Sequence, residues 1–343
     1  MLFSIIIPAY NAHSTIERCL NSIYQLPISE TEYEVIVIDD CSTDDTTDVV
    51  KKYAIHHPNI TLLVQPENHR AGAARNLGVS IARGKYVVFL DSDDELESGV
   101  LAAILLADKS CLEMVAMRGL REGFGGKQGL YNLHYSSERT FSGIDLQTEH
   151  PYWCSGPCLY VYLKSFLDLV GYPFTEDVLY EDSDFVSVHL YHAKRMGYSD
   201  ECGYIIHENS LSITHTMSHK HVCDYALLGT RMLAFYHKIQ NKNTLYARTI
   251  LEGGSFNIMK ASHLLFRLKS VADVRAVYDR FDDYADRKLY LGYKYPAYCW
   301  TKWTRFCLKH RKLTIGLIAV ANFFHFREGL KLFIKWKRVI MEQ

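Results

Sequence analysis

Five apolar residues in a row, Tyr86-Val-Val-Phe-Leu90, stop at Asp91-Ser-Asp-Asp94, and that abrupt change constrains the fold more than any other stretch. A continuous apolar run rich in β-branched and aromatic residues reads as a strand buried on both faces. Its carboxyl end then delivers Asp91 and Asp93 to the edge of a sheet, where open α/β sheets bind ligands. Acids packed this closely repel one another. A hard divalent cation among them would offset that repulsion, and so would a solvated turn.

The run has three predecessors. Phe3-Ser-Ile-Ile-Ile7 ends at Pro8-Ala-Tyr-Asn11, and Ser14-Thr-Ile-Glu17 has capping-box spacing ahead of apolar Ile16, Leu20 and Ile23. Val35-Ile-Val-Ile38 leads into Asp39-Asp-Cys-Ser42 and an acid-started helix over 44–54. A third strand is expected over 60–64 and a third helix over 71–82, stopped by Gly84. Strands alternating with helices predict an α/β fold, a Rossmann-like, mostly parallel sheet flanked by helices. Pro8 to Asn11, Asp39-Asp40 and Asp91 to Asp94 then converge on one rim by topology alone. Asp44 and Asp45 read as turn and cap residues.

Further on, the pattern is mixed to about residue 215 and helical from about 219. Gly123 to Gly129 lacks the spacing of a phosphate loop and reads as a hairpin or flexible loop. Glu181-Asp-Ser-Asp184 precedes a helix through Val188 and Tyr191. Nine cysteines, an odd number without a framework, argue against a full disulfide set and for a reducing compartment. Cys154 and Cys158 have no second pair to complete a zinc site. No basic, signal-like start precedes Phe3, so a cytoplasmic location is expected. Residues 301–343 hold ten Lys or Arg against two acids, in a chain of net charge -1. The apolar stretch Leu313 to Phe326 within that tail is too short to span a bilayer. With its basic flanks it fits peripheral contact with an anionic membrane, or a helical appendage packed on the rest of the protein. No nucleic-acid-binding module is recognisable.

Three motifs go beyond strand counting: Pro8-Ala-Tyr-Asn11; Val37-Ile-Asp-Asp-Cys-Ser-Thr-Asp44; and Ala73-Ala-Arg-Asn76 leading into Phe89-Leu-Asp-Ser-Asp-Asp94. In this order and spacing they closely resemble the family 2 inverting glycosyltransferases, which have the GT-A fold. The resemblance is dense to about residue 98 and resumes at Trp153 to Gly156 and at Glu181-Asp182. It implies a GT-A catalytic domain over 1–218, with a nucleotide-binding half (1–98) and an acceptor-binding half (99–218). Residues 219–343 would be a basic, mainly helical extension.

The implied activity is metal-dependent transfer of a sugar, with inversion, from a nucleotide-sugar, foremost a UDP-sugar. The acceptor would be a hydroxyl of a glycan or lipid-linked molecule in bacterial surface polysaccharide synthesis. By the same resemblance Pro8, Ala9, Tyr10 and Asn11 would flank the base and ribose. Asp40 would hydrogen-bond the base, with Asp39 the second choice. Arg75 would lie near the diphosphate or pair with the acidic loop. Asp91 and Ser92 belong to the donor side, and Asp93, with Asp91, would hold Mn2+ or Mg2+, oxygen ligands suiting such ions. His207 is the expected third ligand, His215 the reserve. Asp182 would be the base that takes the acceptor's proton, with Glu181 positioning it and Asp184 a helix N-terminal charge. Trp153, Gly156 and Pro157 would line the acceptor side, the Trp stacking on a sugar or lying in the core under the loop. Two alternatives stand beside this reading. One is a sugar nucleotidyltransferase, which needs a glycine-rich, lysine-containing loop that Pro8 to His13 does not supply. The other is a catalytically inactive sugar-nucleotide-binding scaffold.

Overall fold

The computed structural model describes residues 1–123, 126–130, 139–150, 156–208, 218–265, 270, 272–277, 310 and 312–315. The chain divides into two compact units, Met1–Ser212 and Ile213–Gln343.

The first unit opens with β1 (Phe3–Ala9), α1 (Ile16–Tyr24), β2 (Tyr33–Asp39), α2 (Thr46–His56), β3 (Ile60–Val64), α3 (Arg70–Ile81) and β4 (Tyr86–Phe89). Every residue of β1, β2 and β4 is buried, as strands covered by helices on both faces require. These strands form the parallel order β3-β2-β1-β4, with Ile5 opposite both Val35 and Val88. The expected α1 capping box does not form: Thr15 is the N-cap residue, and no side chain caps the helix. The residues ahead of the helix are held by the second loop. Thr46 Oγ1 accepts from the Ala12 N–H at 2.8 Å, and Asp44 Oδ2 from the His13 N–H at 3.1 Å. Asp44 therefore ties two loops together as well as preceding α2.

The chain continues through β5 (Glu95–Leu96), α4 (Gly99–Ser110), β6 (Met114–Gly123), β7 (Gly126–Leu130) and α5 (Gly143–Glu149). A 3-10 turn at Pro157–Leu159 leads into β8 (Tyr160–Leu163), α6 (Lys164–Val170), α7 (Asp182–His192) and β9 (Met196–His207). The glycine-rich segment is a hairpin, with β7 antiparallel to β6. The sheet extends as β4-β8-β6-β9-β5. Because β8 runs antiparallel to both β4 and β6, and β9 runs parallel to β6, the strands β6 and β9 point the same way as β4. The expected parallel sheet is thus its first half, and the second half is mixed. The carboxyl ends of β1, β2, β3, β4, β6 and β9 all reach one rim. Beneath it, the Phe89 ring meets Tyr162, Phe174 and Phe185 edge-on at centroid distances of 5.5, 5.3 and 6.0 Å.

In the second unit α8 (His219–Lys238) packs against α9 (Leu245–Leu265). Their backbones touch at two glycines. A Cβ on Gly229 would lie 2.7 Å from the Gly254 carbonyl oxygen, so a larger residue would force the helices apart. The Lys260 ammonium sits 4.2 Å from the Tyr225 ring centroid and bonds its hydroxyl at 2.5 Å, fixing the same pair of helices. Among the described residues no helix is long and apolar enough to cross a membrane. The apolar stretch of the basic tail lies outside the described residues beyond Ile315.

At the opposite rim, buried Glu34 joins β2 to β1 and to the α3–β4 connection. It accepts from Ser4 Oγ (2.7 Å), the Arg83 N–H (2.7 Å) and the Arg83 guanidinium (2.9 and 2.8 Å). Burial alone would push its pKa up, but the bonds from the Arg83 backbone, Ser4 and the guanidinium hold it below the usual value. Glu34→Ala strands the Ser4 and Arg83 donors, and should cost about 1–3 kcal/mol in urea unfolding at neutral pH. Because the folded pKa is depressed, this contribution is present above the unfolded glutamate value of about 4.3 and fades as pH falls through the folded one. The stability gap between wild type and variant should therefore close in acid.

Candidate active site

The loops after the first two strands are sewn together by bonds between backbone amides and side-chain oxygens. Asn11, in the left-handed region at φ 50°, donates its N–H to Ser42 Oγ at 2.9 Å and accepts from the Thr43 N–H at 2.8 Å. Pro8 and Ala9 are buried, whereas Tyr10 is 44% exposed and presents its ring at the rim. The Asn11 side chain is thus spent on the loop, and Tyr10 is the member of the motif left open to a ligand.

Asp39 and Asp40 are both buried but have different tasks. Asp40 Oδ1 accepts from Gln65 Nε2 and the His69 N–H, and Oδ2 from the Arg70 N–H, each at 2.7 Å. Its carboxylate thereby satisfies donors at the start of α3, where a negative charge also complements the helix dipole. Asp39 Oδ2 accepts from the Ser42 N–H at 2.9 Å, while its Oδ1 is buried without a partner. A buried orphan acceptor calls for a donor from outside the protein. Asp40 is thus held on both oxygens by the fold, whereas Asp39 has one buried oxygen without a partner inside the protein.

The acidic stretch forms a tight turn, closed by the Asp94 N–H on the Asp91 carbonyl at 3.0 Å. From β9, the Tyr204 hydroxyl donates to Asp94 Oδ2 at 2.7 Å and accepts from the Asp91 N–H at 3.2 Å, and the His207 N–H donates to Asp94 Oδ1 at 2.8 Å. From α1, Arg18 bonds the Asp93 carbonyl and pairs with Glu95 at 3.1 Å. Burial, and then the charges of Asp91 and Asp93, push the Asp94 pKa up to about 8, so at neutral pH it keeps its proton and repels its neighbours less. Asp94 therefore orients the turn. Asp91, Ser92 and Asp93 remain half-buried at the rim.

His207 ends β9, but its Nε2 lies 2.6 Å from Glu95 Oε1 and its Nδ1 faces Glu122 at 3.9 Å. It does not join Asp91 and Asp93 as a third ligand. Among the described residues no three His, Cys, Asp or Glu side chains form a metal cage. A magnesium-like ion, commonly held by one or two carboxylates together with substrate phosphates and water, needs no such cage.

Arg75, on α3 with its side chain 6% exposed, joins the acidic turn to the start of α7. Its guanidinium bonds Asp91 Oδ1 at 2.7 Å and Glu181 Oε1 at 2.5 Å, and lies 5.3 Å from the Phe174 ring centroid. Asp182 follows as the first residue of α7. Its pKa is pushed up to about 7, by burial first and then by Glu181 and Asp91, with Arg75 pulling the other way. A carboxyl poised there suits a general base working near neutral pH. Asp184 is buried and accepts from Tyr172 at 2.9 Å and Thr175 at 3.2 Å, so it holds the preceding loop as well as charging the helix start.

Gly156 leads into the 3-10 turn, where Pro157 is buried and thus poorly placed to touch an acceptor. Trp153 and His215 lie outside the described residues. Sequence reasoning missed Gln65, Tyr204 and Arg18. Arg18 alone carried a hint, as a charge near the buried face of α1. Because Arg75 neutralises two carboxylates from separate segments, Arg75→Met should lose about 3–5 kcal/mol in denaturant titration, the cost of breaking a buried ionic network.

Residues 4–167 match the family model described as Glycosyl transferase family 2. The poly(ribitol-phosphate) beta-N-acetylglucosaminyltransferase TarS of Staphylococcus aureus is 34% identical over 134 residues, which are 38% of this chain and 23% of TarS. The putative teichuronic acid biosynthesis glycosyltransferase TuaG of Bacillus subtilis is 39% identical over 112 residues, 32% of this chain and 44% of TuaG. The chain covers less than two thirds of either relative. Among solved structures, S. aureus TarS in complex with UDP-GlcNAc superposes with a TM-score of 0.57 at 20% identity, covering 95% of this chain and 90% of that one. A mannosyltransferase from Pyrobaculum calidifontis, in complex with GDP-Man and Mn2+, gives 0.52 at 18% identity, covering 94% and 87%. At such identities these two likenesses speak for the fold alone. Residues 4–167 are thus similar to glycosyl transferase family 2, and the strand order builds a GT-A-like fold.

Proposed function

We propose that this chain transfers a sugar from a nucleotide-sugar, foremost a UDP-sugar, to a hydroxyl of a surface glycan or lipid-linked acceptor, with inversion at the anomeric carbon. The observation that carries the reading is the pairing of Arg75 with both Asp91 and Glu181, which sets an acidic diphosphate-side turn beside a carboxyl, Asp182, poised near neutrality. The complexes of related folds with UDP-GlcNAc and with GDP-Man support a nucleotide-sugar donor.

In this reading Tyr10 lies against the base and the open Asp39 Oδ1 accepts from a ring N–H, which favours uracil over cytosine. Asp93 and Asp91 would hold Mn2+ or Mg2+, which would supply positive charge to offset that of the departing nucleoside diphosphate. Asp182 takes the proton of the acceptor hydroxyl as that oxygen attacks from the side opposite the diphosphate. Glu181, fixed by Arg75, keeps Asp182 charge-coupled and in place. The half over 1–98 supplies the donor groups, and the half over 99–218 supplies the base.

The direct test is a panel of UDP- and GDP-sugars with Mn2+, using poly(ribitol phosphate) and lipid-linked glycans as acceptors, read by nucleoside diphosphate release. No release above background with any pair removes the proposal. Asp182→Asn should bind UDP as wild type does yet lose at least about 100-fold in transfer, the usual size of a general-base contribution. Protonated Asp182 cannot act as a base, so kcat/KM should fall on the acid side of a pKa of about 7, by about tenfold per pH unit. A profile flat from pH 5 to 8 would count against Asp182.

A further inference from the structure

The segment from Phe174 to Glu181 leads directly into the proposed base, Asp182, and it is laid along one face of α3. Gly72, Arg75 and Asn76 recur at the spacing that shares a helix face. Asn76 makes a reciprocal pair with the backbone of Phe174: Oδ1 accepts its N–H at 2.9 Å and Nδ2 donates to its carbonyl at 3.0 Å. The same Nδ2 reaches Glu176 at 2.9 Å. At the N-cap of the helix, the His69 carbonyl accepts the Asp177 N–H at 3.1 Å, and the two side chains meet at 3.0 Å. Gly72 permits the approach, since a Cβ there would stand 2.4 Å from the Thr175 carbonyl oxygen and 3.3 Å from Glu181 Cγ.

The segment does not hold this shape unaided. Asp177 and Tyr180 sit at φ 59° and 66°, in the left-handed region that residues other than glycine seldom occupy. Tyr180 directly precedes Glu181, so contacts that hold the strap also set the direction in which Glu181 and Asp182 leave it. The N-terminal turn of α3 is meanwhile anchored on Asp40, beside the orphan oxygen of Asp39. One helix thus touches the donor-side loop at its start and the strap leading into the base along its length.

We propose that Asn76 is the positioning residue for the base: by pinning Phe174 and Glu176 to α3 it registers Asp182 against a donor seated at the same helix's start. The inference rests on the reading of Asp182 as the base. A catalytic group displaced by about 1 Å can lose about 100-fold in rate without any loss of binding. Asn76 should accordingly act on turnover and leave the nucleotide alone.

The test compares wild type with Asn76→Ala, Asn76→Ser and Asp182→Asn. It reads UDP binding by calorimetry with Mn2+, hydrogen exchange of 174–181, and steady-state UDP release with the donor and acceptor that give the highest wild-type rate in the panel above. Asn76→Ala should lower kcat about 10–100-fold, hold donor KM and UDP affinity within about twofold, and speed exchange in 174–181 alone. Unchanged kcat overturns the inference, and so does a parallel loss of kcat and UDP affinity, the mark of a merely structural residue. Should Asn76→Ala fail to fold, Asn76→Ser, which retains a polar group at the site, is judged by the same two criteria. The failures are separable. Transfer retained by Asp182→Asn refutes the base, whereas an inactive Asp182→Asn beside fully active Asn76 variants refutes only the role of Asn76.

Discussion

The arrangement turns on one buried cation. Arg75 holds Asp91 at the end of β4 and Glu181 at the start of α7, residues far apart in the chain. Without it, buried Glu181 and half-buried Asp91 would repel each other and a third acid, Asp182, with nothing to offset their charge. The guanidinium suits the task because its planar fork bonds two partners at once and stays charged when buried. Its remaining face covers the Phe174 ring, so the charge is packed as well as paired.

Strand polarity supplies the rest. Parallel pairing brings the ends of β1, β2 and β4 to one rim, and the antiparallel β8 lets β6 and β9 return to it. Tyr204 and the His207 N–H then steady the acidic turn from β9. Division of labour between neighbours recurs along this rim. Asp40 is bonded on both oxygens while Asp39 keeps one without a partner, and Asp94 is bonded on both oxygens from β9 while Asp91 pairs with Arg75.

Much of this was legible in the sequence because it is written locally. The strands containing Ile5, Val35 and Val88 are short apolar runs bounded by polar loops, and a carboxylate cluster after such a run is visible without coordinates. What escaped depends on contacts between distant segments. Which of Asp39 and Asp40 turns toward α3 is set by the path from Gln65 to Arg70, which no spacing rule reveals. His207 looked like a ligand because histidine commonly is one, yet Glu95 and Glu122 lie beside it once β9 pairs with β5 and β6. The capping box at Ser14 and Glu17 failed because α1 begins one residue later than its spacing assumes, with Thr15 at the N-cap. The mixed half of the sheet was hidden because β8 and β9 carry no repeat of the strand–helix alternation.

The grip of Tyr204 on Asp91 and Asp94 has a bearing on biosynthesis. The two partners are more than a hundred residues apart in the chain. While the nascent polypeptide leaves the ribosome, the first four strands can collapse, yet the Asp94 carboxyl lacks its partners until β9 emerges. A translation product truncated before Tyr204 would possess the nucleotide-side motifs but not the turn they need, and quality-control proteases would meet it as an unfinished edge.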